Sequence, residues 1–105
     1  MKIEPGVFLA IIYPEDKTPV SVKKYFTDAT RALKESTGND AQLVHRDLSC
    51  ICLLIQSNEV REVSRALEMN LDNSVRWMVL RCELPTASFG LSACDTWLNN
   101  RLNHR

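Results

Sequence analysis

Apolar blocks alternate with polar ones along the chain, and the spacing inside each block predicts its element. Gly6 to Tyr13, GVFLAIIY, is an unbroken apolar run stopped by Pro14, which predicts a strand buried on both faces. PEDKTPV then reads as a polar loop. Ser21 can cap a helix through its hydroxyl. From there Val22, Tyr25, Phe26, Ala29 and Leu33 recur at helical spacing, while Lys23, Lys24, Asp28, Arg31 and Lys34 take the other side. Gly38 stands where a left-handed residue ends a helix, so the pattern predicts a helix over 21–37.

AQLVHR predicts the next strand, DLS a turn and CICLLIQS a further strand, and so short a turn predicts an antiparallel hairpin. Ser57 is a second capping candidate. Val60, Val63, Ala66, Leu67 and Leu71 then line one side of a second helix, with Glu59, Arg61, Glu62, Arg65 and Glu68 outside, and LDNS closes it. Val75 to Leu84 predicts the fourth strand. Met78, Leu80, Cys82 and Leu84 share one of its faces, and Val75, Trp77 and Val79 the other. Pro85 and TASFG end it, and Leu91 to Leu102 predicts a short final helix with Cys94, Trp97 and Leu98 on its apolar side.

The order β-α-β-β-α-β-α predicts an α+β fold of the ferredoxin-like split β-α-β kind. It implies a four-stranded antiparallel sheet, two helices on one face and a C-terminal helix, in a single domain over 1–105. Strands that are apolar on both faces leave the second face to be covered. The final helix can cover part, and a bare apolar face is unusual on a monomer, so a homodimer is expected, with Trp77 and Val79 near the seam and Trp97 in core or interface.

Composition narrows function more than fold. The formal net charge is zero, which disfavours a protein held on nucleic acid by bulk attraction; Lys17, Lys23, Lys24 and Arg31 are the residues a local nucleic-acid surface would use. No stretch approaches the roughly 20 apolar residues of a membrane span and the N-terminal run is too short for a secretory signal, so a cytoplasmic protein without membrane contact is expected. Cys50, Cys52, Cys82 and Cys94 read as buried thiols, because zinc wants close CxxC pairs with histidines, whereas His45 and His104 lie elsewhere. His45 reads as a solvent-side strand residue, and no nucleophile elbow or glycine-rich phosphate loop occurs. No cofactor is expected.

LDNSVRWMVLRCELPTASFGLSACDTWLNNRL resembles the ending of small ferredoxin-like proteins related to the CRISPR adaptation subunit, in the VapD-like and SinR-like branches. Asp72, Asn73 and Ser74, then Gly90, Leu91 and Ser92, then Trp97 and Leu98 carry the likeness, and SCICLLIQSNEVREVSRAL is similar to that group's middle strand and second helix. The resemblance implies that nuclease relatives hold a divalent metal with an aspartate directly after the tyrosine ending the first strand. Here Pro14 follows Tyr13, and the acids come later, as Glu15 and Asp16. A proline-led loop holds a side chain less firmly than a strand end, and magnesium demands octahedral oxygen ligands at about 2.1 Å. The sequence therefore reads first as a non-catalytic interaction protein, homodimeric and possible in a defence or toxin-associated setting. The alternative is a magnesium-dependent nuclease or nucleic-acid-binding relative using Glu15 and Asp16.

Overall fold

The structure, a computed structural model, describes residues 6–73, 75–82 and 92–102. The elements are β1 (Gly6–Tyr13), α1 (Pro19–Thr37), β2 (Gln42–Arg46), β3 (Ile51–Ser57), α2 (Val60–Asn70), β4 (Arg76–Cys82) and α3 (Ser92–Leu102). The four strands form one antiparallel sheet in the order β2-β3-β1-β4, so the fold is α+β, and β2 and β3 pair as the expected hairpin.

Side chains alternate across the sheet and build a core on each face. On the first face Phe8, Ala10 and Ile12 of β1 and Ile51, Leu53 and Ile55 of β3 pack with Val22, Tyr25, Ala29 and Leu33 of α1 and with Val63, Ala66 and Leu67 of α2. Trp77 and Val79 of β4 pack half-buried against this same core. On the second face Val7 and Leu54 meet Cys94 and Trp97 of α3, with Leu9, Val44, Cys82 and Leu98 around them. Trp97 is thus buried within its own chain, under the Arg101 guanidinium 3.8 Å from its ring centroid.

These placements put both expected seam residues on the helix-covered face of the sheet. Trp77 and Val79 point toward α1 and α2, so the residues of β4 that face away are Met78, Leu80 and Cys82. Helix starts also differ from expectation. Helix α1 begins at Pro19, with Thr18 as the cap accepting from the Ser21 amide at 3.3 Å. Proline suits the first helical position, where its missing N–H is no loss, and Ser21 falls inside the first turn. Ser57 ends β3 instead of capping α2, although its hydroxyl donates to the Glu62 carboxylate at 2.7 Å and so ties the strand to the first turn of α2. Val60 is exposed. Gly38 ends α1 as expected, at φ 77° with its amide on the Lys34 carbonyl. Strand β4 is described over Arg76–Cys82; Glu83, Leu84, Pro85, TASFG and Leu91, with Ser74 and Gly90 of the resemblance, lie outside the described residues. Among the described residues no helix is long and apolar enough to cross a membrane.

Candidate functional site

Three places gather chemistry: the loop after β1, the turn between β2 and β3, and the second face of the sheet. In the loop, Asp16 accepts from the Ser21 hydroxyl at 2.7 Å and from the Thr18 amide at 3.1 Å. Both carboxylate oxygens thereby serve the start of α1, where free amides and the helix dipole favour a negative group. The Ser21 hydrogen bond, then the Thr18 amide, hold the Asp16 carboxyl below its ordinary range. Glu15 turns elsewhere. It lines an open groove of about 690 Å³ with Tyr13, Pro14, Lys17, Arg76 and Trp77. The two acids proposed by the resemblance as metal ligands therefore have separate roles, and among the described residues no group of three or more His, Cys, Asp or Glu side chains could hold a metal ion.

The basic residues are interleaved with acids. Lys17 lies in that groove, while Lys23 borders a different depression with Pro19, Val22, Arg46 and Asp47. Arg31 is tied to Asp28 at 2.8 Å and Lys34 lies 3.4 Å from Asp40. Lys24 is exposed on α1. Lys23, Lys24, Arg31 and Lys34 share the exposed side of α1, but the acids Asp28 and Asp40 pair with two of them and Lys17 stands apart in the groove, so the cations do not form a continuous phosphate-binding track.

In the β2–β3 turn, Asp47 accepts from the Ser49 and Cys50 amides at 2.7 and 2.8 Å and lies 2.8 Å from His45 Nε2. The His45 hydrogen bond first, then the Ser49 amide, hold the Asp47 carboxyl below its ordinary range. His45 is exposed, as expected for a solvent-side strand residue, and its partner is a turn-forming carboxylate. Beside it, Cys50 and Cys52 bring their sulfurs to 3.4 Å, and burial, followed by the hydrogen bond shared with Cys50, pushes the Cys52 thiol up to about 11. A thiol that stays protonated at neutral pH is a poor nucleophile and a poor metal ligand. The expectation of buried thiols holds fully for Cys94; Cys50, Cys52 and Cys82 are half-buried, because α3 covers the second face only in part.

That uncovered part presents apolar side chains to solvent. Met78, Leu80 and Tyr13 are 45%, 48% and 44% exposed. The register sets Met78 opposite Ile11, Leu80 opposite Leu9 and Arg76 opposite Tyr13, so these side chains form one apolar strip with a cation at its end. Ile11 and Leu9 are half-buried beneath it. The alternation of β4 already separates Met78 and Leu80 from Trp77 and Val79; which set the helices would cover is decided only by the assembled sheet. Compared with family models, with curated proteins and with solved structures, the chain matches none.

Proposed function

We propose that this chain is a small non-catalytic interaction protein that acts as a homodimer on a ferredoxin-like frame. The frame is supported by β1 and β2 flanking β3, by β3 and β4 flanking β1, and by antiparallel pairing at each junction. The observation that carries the function is the exposure of Met78 and Leu80 beside Ile11 and Tyr13. Withdrawing such a side chain from water stabilises an association in proportion to the apolar area covered, roughly 25 cal/mol per Å². Zero net charge adds no repulsion between copies. The resemblance over residues 49–67 and 71–102 is what suggests a defence or toxin-associated setting. The nuclease reading draws no support from the loop after β1, where Asp16 is committed to the start of α1 and Glu15 to a separate groove.

Sedimentation velocity across a wide concentration range tests this. The wild type is expected to reach the mass of a dimer, and Met78→Glu/Leu80→Glu to remain monomeric with an unchanged far-ultraviolet dichroism spectrum. A wild type that stays monomeric at every concentration would refute the reading.

A further inference from the structure

The two edges of the sheet are built differently. Strand β2 is short, at five residues, its pairing with β3 is broken by a shift between Leu43 and His45, and α3 packs beside it. Short length, bulges and a covering element are the usual means of keeping an edge from pairing with another chain. Among the described residues β4 has none of these three. Its seven residues, RWMVLRC, pair with β1 without interruption, contain no proline, carry charge only on Arg76 and Arg81, and leave Met78 and Leu80 exposed. Among the described residues no strand lies on its outer side.

We infer that a second copy of the chain joins this edge, β4 running antiparallel to β4 about a two-fold axis at Val79, so that the two sheets become one of eight strands. The inference rests on the homodimer reading above and specifies how the copies meet. Residues directly opposite each other in a sheet share a face, so a two-fold axis normal to the sheet must pass through a residue, not between two. Of the possible axes, Val79 is the midpoint of Arg76–Cys82 and lets all seven residues pair.

The resulting neighbours are complementary. Met78 of each copy meets Leu80 of the other on the open face, joining the two apolar strips across the axis. On the helix-covered face Trp77 meets Arg81 of the second copy. Arg81 already lies over Phe8 of its own chain, 5.7 Å from the ring centroid, and an indole beside a guanidinium is a favourable pair. Arg76 meets Cys82 of the second copy, so no two like charges stand opposite. Shifting the axis to Met78 or Leu80 leaves part of the strand unpaired and separates Met78 from Leu80 of the other copy.

Mild oxidation of Arg76→Cys, followed by peptide mass mapping, tests the register. The new thiol should form a disulfide with native Cys82 in high yield, because opposed residues have Cα atoms about 4.5–5.5 Å apart, inside the disulfide range. Within one chain the two positions are six residues apart on an extended strand, roughly 20 Å, so the bond can form only between copies. Val79→Cys should link to itself in the same way. Stacked sheets would hold their backbones about 10 Å apart and form neither bond. A dimeric wild type in which neither variant links, whether or not a bismaleimide long enough to span the roughly 10 Å between stacked sheets joins Ile11→Cys across copies, would overturn edge pairing and leave the homodimer reading standing. A wild type that sediments only as a monomer would overturn both. Arg76 is exposed, so Arg76→Cys carries the test should Val79→Cys fail to fold.

Discussion

Asp16 shows how one side chain can exchange a role suggested by its position for one set by its neighbours. Two acids just past an apolar strand invite a metal reading. Pro14 and Pro19 bracket the loop instead, and Asp16 folds onto the amide of Thr18 and the hydroxyl of Ser21. Its carboxyl is held below the ordinary aspartate value of about 3.9. The folded state therefore prefers the charged form: this contribution to stability is present above the ordinary value and is lost as pH falls through the depressed one. A carbon-detected NMR titration should place the Asp16 midpoint below that of an unfolded-chain aspartate, and Ser21→Ala should raise it, since the Ser21 hydroxyl is the largest cause of the shift. An Asp16 midpoint unmoved by Ser21→Ala would mean that the capping contact is absent in solution.

Among the elements, α1 is the most legible in the sequence, because a nineteen-residue amphipathic helix repeats its signal over several turns. Four of the five predicted core positions, Val22, Tyr25, Ala29 and Leu33, are buried, and Phe26 is half-covered by the Arg46 guanidinium 4.7 Å from its ring centroid. Ala32, also buried, lies on the same stripe but is too small to stand out in an apolar pattern. Ends carry less signal than middles, which is why the pattern points to Ser21 where Thr18 is the cap. Gly38 is the exception, since its φ of 77° disfavours any residue with a Cβ. An added Cβ there would meet nothing within 4 Å, so Gly38→Ala isolates the backbone cost. Chemical denaturation should show a loss of about 1–2 kcal/mol; a neutral result would mean that α1 ends elsewhere.

For the whole molecule, the decisive fact is which face of the sheet α1 and α2 take. They cover Trp77 and Val79 and leave Met78 and Leu80 to α3, which reaches only the Val7 and Leu54 end of the second face. The two faces of β4 therefore respond differently to a charge. Trp77→Glu puts a carboxylate against the main core and should lower the unfolding free energy by about 2 kcal/mol. Met78→Glu alone faces solvent in the single chain and should change the stability of the monomer by less than about 0.5 kcal/mol. Urea unfolding at concentrations low enough to keep both variants monomeric compares them, and a larger loss for Met78→Glu would reverse the assignment of faces.

The order and type of the elements, the hairpin, the Gly38 terminator and the apolar side of the last helix are written in local patterns, since each depends on residues a few positions apart. Two-sided hydrophobicity of the strands was equally readable and pointed to a sheet with cores on both faces. Which face received which helix was not readable. Alternation divides a strand into two sets of side chains without ranking them, and Trp77/Val79 and Met78/Leu80 are equally apolar pairs. Only the path of α1 and α2 across the closed sheet, and the partial reach of α3, decide that one pair is sheltered and the other faces water.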